Sequence, residues 1–374
     1  MATEKRIDPW ASVDVENYKA LMQDFGIEPF SKFREKFKAN RYVRRDIIFG
    51  HRDFDRIHNS ITKKKPWAMM TGLMPSGKFH FGHKMLADII IWLQQLGGQI
   101  YVCSADIEAW LMRDITLEEG YRTAVDEYLT NYVALGLDLK KDFTFWFQSN
   151  YTTEYYRLRD MISKRVTFNE LKAIYGELSP GKITSVLTQA ADILHPQLPS
   201  HNGKKPVVVP VGVDQDPHLR LTRDIASRLD AVRENSTRDF PCIPPSSTYH
   251  KFMRGLQGGK MSSSRENSYI ALTESSETAR KKVMNAKTGG RATAEEQKKL
   301  GGQPEACTVY DFFVYHLIDD NKELMNIYKD CTSGNRRCGD CKKFCADLIE
   351  KFLVGHQKKY KKAKTEVEKF IAKV

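Results

Sequence analysis

Long apolar runs are missing from this sequence. A membrane-spanning helix needs about 20 apolar residues in a row, and the longest runs here, such as Met85–Leu93 and Val207–Val213, stop well short. The opening MATEKRIDPW holds no apolar segment of the kind that directs secretion. A membrane or secreted protein is therefore not expected, and a cytoplasmic one is. The glycine patterns of dinucleotide-binding turns and of P-loops are also missing, which argues against that type of oxidoreductase and against an ordinary NTPase. No internal repeat is visible. Cysteine is scarce and odd in number: seven in 374 residues, five of them between Cys307 and Cys345. A disulfide scaffold would be smaller, denser and even in count. The chain reads instead as a protein of a reducing compartment with one local cysteine cluster.

What is present is ordinary globular composition, 41% hydrophobic and 28% charged, which excludes a disordered chain. The length allows a large core and suggests two domains, or one with appendages. Positive charge is in excess, 59 Lys+Arg against 47 Asp+Glu for a formal +12. That implies a polyanionic partner without saying which.

The first 40 residues are polar and mixed, with Asp8–Trp10 (DPW) and Phe25–Phe30 (FGIEPF), and read as an arm packed on the body. Alternation of strand and helix begins near Lys65. Pro66–Met70 (PWAMM), Gln99–Cys103 (QIYVC) and Phe143–Phe147 (FTFWF) read as strands. Met85, Ile89, Leu93 and Leu96 recur at helical spacing, as do Ala124, Val125, Tyr128, Leu129 and Val133 within 121–135. This order implies a parallel sheet with right-handed crossovers. Residues 151–200 break the rhythm and read as a helical insertion. Val207–Val211 (VVVPV) restores a buried strand, and beyond about residue 270 only helical periodicity is legible.

Two segments face phosphate chemistry. The turn Pro75–His83 (PSGKFHFGH) opens into a helix, whose unpaired N–H groups favour an anion. Gly82, between His80 and His83, lets a purine approach the backbone. Downstream, Gly258–Ser264 (GGKMSSS) is a loop with one lysine and three hydroxyls, able to clamp a polyphosphate. Alone, the first would be a turn with a helix cap and the second a linker. Together, in this order, they are far more specific.

His80–His83 (HFGH) resembles the HIGH motif of class I aminoacyl-tRNA synthetases, and Lys260–Ser264 (KMSSS) resembles their KMSKS loop. Val211–Ala226, Val166–Gly176, Gly255–Ser264 and the GGR…EE…GG stretch over 289–302 are similar to tryptophanyl enzymes of archaeal and eukaryotic type. The second lysine of the loop is Ser263 here, as eukaryotic relatives also lack it. The resemblance implies an α/β protein. Residues 1–40 would be an arm and 41–270 a Rossmann-type parallel-sheet catalytic domain. Its insertion at 151–200 would form the dimer interface, and 271–374 would be an all-helical anticodon-binding domain.

It also implies ATP with Mg2+, L-tryptophan and tryptophan tRNA as partners, in a homodimer. His80, His83 and Lys260 would be catalytic. Gly82, Gly212, Asp214, Lys260, Met261, Ser262 and Ser264 would bind ATP. Glu108, Gln215 and Gln257 would line the amino-acid pocket. Eukaryotic indole partners fall at Met70 and Cys103, where neither side chain serves. The QAADIL at 189–194 is similar to the bacterial segment whose aspartate accepts the indole N–H, so Asp192 takes that role and Met70 becomes an apolar wall. Tyrosyl enzymes place an aspartate at the same point, which keeps tyrosine as the alternative substrate. A non-catalytic RNA-binding or signalling protein on this scaffold ranks lower, since both histidines and Lys260 are intact. Cys307, Cys331, Cys338 and Cys341 follow C-x23-C-x6-C-x2-C, which suits zinc or an iron–sulfur cluster. It is similar to the pattern of tryptophanyl enzymes that carry a four-iron–four-sulfur cluster. The cysteines could equally be reduced thiols.

Overall fold

The computed structural model describes residues 18–231, 240–259, 261–263 and 265–373. Asp8–Trp10 lies outside them. The part of the arm that is described does more than pack on the body: after α1 (Tyr18–Phe25), β1 (Glu28–Pro29) pairs with β2 (Ile48–Arg52) at the edge of the sheet. Phe30, Phe33 and Phe37 of the same segment are buried against Phe54. A short α2 (Arg41–Arg44) and α3 (Phe54–Thr62) flank β2.

The four strands legible in the sequence are consecutive neighbours in the sheet, β3 (Ala68–Leu73), β4 (Gln99–Ser104), β5 (Phe143–Phe147) and β6 (Val207–Gly212). β7 (Ser246–His250) completes a seven-stranded sheet of order β1-β2-β7-β6-β3-β4-β5. Its core, β7-β6-β3-β4-β5, is parallel, and β1 and β2 run antiparallel at the margin. From β3 the chain crosses to β4 by α4 (Phe81–Gln95), and to β5 by α5 (Asp106–Arg113), α6 (Leu117–Thr123), a π-helical turn and α7 (Thr130–Leu135). The insertion follows as α8 (Thr153–Ser163), α9 (Phe168–Tyr175) and α10 (Pro180–Leu194). The chain then returns to β6 on the other side of β3 and reaches β7 by α11 (Asp216–Asp230). Strand order thus reverses between β3 and β6, and ligands of such sheets bind beyond the strand C-termini at that point.

The remainder is helical: α12 (Ser276–Met284), α13 (Ala294–Leu300), α14 (Thr308–Phe312), α15 (Asn321–Thr332) and the long α16 (Cys338–Ile371). These helices share a core with the sheet. Phe81, at the start of α4, is fully buried with its ring centroid 5.3 Å from both Phe312 and Phe352. The helix that opens at the site is therefore anchored by the C-terminal helices. Among the described residues, no helix is long and apolar enough to cross a membrane.

Candidate active site

At the C-terminal ends of β3 and β6 lies a cleft of about 420 Å³. Met70, Thr71 and Gly72 of β3 form one wall, and Val209–Gly212 of β6 the other. Glu108, Asp192, Asp214, Gln215, Met261 and Ser262 also line it. The two phosphate-facing segments, far apart in sequence, meet beside it. A Cβ on Gly77 would lie 2.8 Å from Ser263 Cβ, and Phe81 N–H donates to Ile270 O at 3.3 Å.

His80 is the N-cap of α4. Its Nδ1 accepts the Gly82 N–H at 3.1 Å, while His83 Nδ1 accepts the His80 N–H at 3.3 Å, and the two rings stack with centroids 3.8 Å apart. An Nδ1 that accepts leaves the proton on Nε2. Burial holds His80 well below the usual histidine range, so its ring is neutral. Its Nε2 is buried without a hydrogen-bond partner among the described residues. The helix start therefore presents an oriented, buried N–H donor. Gly82 serves this arrangement first: a Cβ there would sit 3.0 Å from His80 Cε1 and 3.4 Å from Met261 Sδ. Lys260 and Ser264 lie outside the described residues.

Asp192, on α10, is buried at the inner end of the cleft. Tyr155 Oη donates to its Oδ1 at 2.6 Å, Gln148 Nε2 to its Oδ2 at 2.6 Å, and Cys103 Sγ to Oδ1 at 3.4 Å. Burial pushes its carboxyl up to about 7, against the lowering effect of those donors. Glu108 accepts from Gln189 Nε2 at 2.9 Å, and its backbone N–H donates to Gln148 Oε1 at 3.3 Å. Gln148 thus ties the two carboxylate neighbourhoods together. Sequence reasoning missed Gln148 and Tyr155, and set Cys103 aside as unsuited to touch indole directly. Gln148 had a signal, since it directly follows FTFWF at a strand C-terminus. Met70 is a buried wall of the cleft. Gly212 closes it tightly, because a Cβ there would meet Phe252 at 2.4 Å.

Gln257 is a correction. It is exposed, its amide donates to Asn285 O at 3.3 Å, and it does not line the cleft. The left-handed Gly258 and Gly259 (φ 86° and 69°) turn this part of the loop outward, which its spacing from the KMSSS motif did not reveal.

The cysteines gather where α13, α15 and the start of α16 meet. Cys331 is pushed up to about 11, chiefly by burial and also by the nearby Cys341, Cys307 and Cys338. A Cβ on Gly290 would lie 2.6 Å from Cys338 Sγ, and one on Gly302 2.7 Å from Cys331 Sγ. The glycines leave a cradle around the sulfurs. Zinc, with Zn–S bonds of about 2.3 Å, draws four sulfurs to roughly 3.8 Å of one another. No three of these sulfurs, among the described residues, all lie within 4.8 Å of one another. A single zinc ion would have to draw these sulfurs inward, whereas a four-iron cube holds its sulfurs farther apart.

Comparison with known proteins agrees with the geometry. The model of the class I tRNA synthetases for W and Y matches residues 62–354. The tryptophan–tRNA ligase of Aeropyrum pernix is 50% identical, with 99% of each chain covered, and that of Methanocaldococcus jannaschii is 46% identical with 96% of each covered. The crystal structure of the Aeropyrum pernix tryptophanyl-tRNA synthetase superposes with a TM-score of 0.88 over 97% of this chain and 98% of that one. The Plasmodium falciparum tryptophanyl-tRNA synthetase gives a TM-score of 0.80 at 27% identity, over 92% and 94%. Tyrosine as the alternative is not favoured by these relatives. The chain belongs to the class I tRNA synthetases of the tryptophan and tyrosine family, on its tryptophan–tRNA ligase branch.

Proposed function

We propose that this chain makes tryptophanyl-adenylate from L-tryptophan and magnesium-bound ATP, then esterifies the 2′-hydroxyl of the terminal adenosine of tryptophan tRNA. The observation that carries the amino-acid assignment is Asp192, a buried acceptor at the inner end of a cleft with Met70 and Ile193 as apolar walls. Indole needs that combination: flat apolar surface and one acceptor for its N–H. A phenol would lack a second polar partner at Met70.

In the first step the tryptophan carboxylate attacks the α-phosphorus in line and pyrophosphate leaves with its magnesium. Positioning and charge stabilisation supply the rate, and no covalent enzyme intermediate is needed. His80 offers its neutral Nε2–H to the crowded phosphoryl oxygens, with His83 stacked behind it. Gly82, Gly212 and Asp214 receive the adenosine, and Gln215 faces the ammonium together with the acidic side of Glu108. Lys260, Met261, Ser262 and Ser264 hold the departing phosphates. Lys260→Ala is expected to slow tryptophan-dependent pyrophosphate exchange about a hundredfold or more, with tryptophan affinity nearly unchanged by equilibrium titration. Loss of affinity at unchanged turnover would contradict the role.

Residues 151–200 pair with a second copy in this reading, supported by the exposed Phe168 on the insertion and Trp110 on α5, which packs against α10. Residues 271–374 meet the anticodon region. Ten lysines against four acidic residues over 342–374 supply the charge, and tRNA affinity should fall as salt rises. The site of action is the cytoplasm, where tRNA and ATP are available. Cys307, Cys331, Cys338 and Cys341 hold a four-iron–four-sulfur cluster of structural purpose, supported by the glycine cradle around the sulfurs. Anaerobically purified protein should then absorb near 400 nm, as roughly expected for thiolate-bound iron, and contain iron. A colourless, iron-free and fully active protein would remove the cluster.

A further inference from the structure

The two strands that bound the cleft begin, at the far end of the sheet, in the same short sequence. Lys64-Lys65-Pro66 leads into β3 and Lys204-Lys205-Pro206 into β6. Because β3 and β6 are parallel with Ala68 opposite Val207, the two copies lie side by side, and the Ala68 N–H donates to Pro206 O at 2.9 Å. Between them and α3 is a second cavity, of about 650 Å³. Arg56, Lys65, Lys204 and Lys205 line it along with the amides of Asn59 and Asn202. Its described lining contains no carboxylate and no aromatic ring.

The charges are only half compensated. Arg56 and Lys204 are each held by a carboxylate outside the lining, Asp53 at 3.3 Å and Asp230 at 3.0 Å. Neither Lys65 nor Lys205 has a carboxylate within ion-pair distance among the described residues. Lys65 is exposed and meets solvent. Lys205 is only 4% exposed, and its ammonium donates to two neutral acceptors, Gln99 Oε1 at 2.7 Å and His201 O. An ammonium has three donors, and burying one whose counter-charge, Asp142, acts only from beyond ion-pair distance is costly. A fold that tolerates this cost beside a cavity lined by three more cations is prepared for an anion. Several oxygens and more than one negative charge suit ammonium, guanidinium and amide donors together. The lack of a ring removes a stacking surface for a base, and the lack of carboxylates removes a cation as the ligand.

We propose that this cavity is a phosphate-binding site, distinct from the ATP cleft and at the opposite end of the sheet. The phosphate comes either from a small inorganic ion or from the backbone of bound RNA.

Lys65→Glu changes only an exposed side chain and tests the site without risk to the fold; Lys205→Gln removes the buried charge. With the cleft filled by tryptophan and a non-hydrolysable ATP analogue, radiolabelled orthophosphate should bind the full-length protein at one saturable site. Each variant should weaken that site about tenfold, the size of one charge-assisted hydrogen bond, with tryptophan-dependent pyrophosphate exchange unchanged. If RNA is the source, orthophosphate will compete with tRNA and both variants will raise the KM for tRNA in charging assays. If the small ion is the source, that KM will stay constant while orthophosphate binding weakens. Orthophosphate binding and tRNA KM both equal in wild type and Lys65→Glu would overturn the proposal.

Discussion

Asp192→Asn is expected to raise the KM for tryptophan about a hundredfold, with a much smaller change in adenylate formation at saturating tryptophan. The carboxylate accepts from Tyr155 Oη and Gln148 Nε2, both at 2.6 Å, and from Cys103 Sγ. An amide at this position must turn its NH2 toward one of those donors, leaving a buried polar group unsatisfied. That costs about 1–3 kcal/mol, before the indole contact is counted. Single-turnover and steady-state kinetics separate the two effects. An unchanged KM would remove Asp192 from tryptophan recognition.

The same substitution tests a pH effect. Burial raises the Asp192 carboxyl from the usual carboxylate range to about 7, against the three donors that favour its ionised form. The stability this group contributes is present in full below about pH 4 and is lost as pH rises through about 7. Wild-type stability should fall across that window relative to Asp192→Asn, by up to about 4 kcal/mol. Denaturant unfolding at pH 5 and pH 8 reads the difference. Equal slopes in the two proteins would mean the carboxylate is not held as a buried acid.

The second large effect concerns His80. His80→Ala and His80→Asn should both slow adenylate formation by about 10²–10³, the usual size for losing one oriented donor to a developing charge. They should differ in stability. The imidazole caps α4 by accepting the Gly82 N–H. Alanine loses that cap, at a cost of about 1 kcal/mol, while asparagine is itself a good N-cap. Recovery of rate as well as stability by asparagine would reduce His80 to a cap.

Four of the parallel strands could be read directly because each is a short apolar run between turn residues, and both faces of a parallel sheet are covered. PWAMM, QIYVC, FTFWF and VVVPV became β3 to β6 with ends shifted by at most two or three residues. β7 could not be read that way. Its sequence, SSTYH, is mostly polar, yet all five residues are buried, because β2 and β6 flank it and Ser246 Oγ donates to Asp53 O at 2.9 Å. β1 and β2 escaped notice for a related reason: a two-residue strand and an IFGHR segment carry almost no periodicity.

The sequence by itself determined the chemistry on offer: an excess of cations, a His-Phe-Gly-His helix start, a Lys-Met-Ser-Ser-Ser loop, and a carboxylate at 192. The sheet order decided where these meet, at the reversal between β3 and β6. Only the tertiary structure set the state of Asp192, whose donors come from β4, the end of β5 and α8. Only it turned Gln257 outward and placed two Lys-Lys-Pro segments side by side. The reason is physical. Propensity and capping act within a few residues of the chain, whereas burial and electrostatic field are sums over neighbours that become neighbours only when the sheet closes.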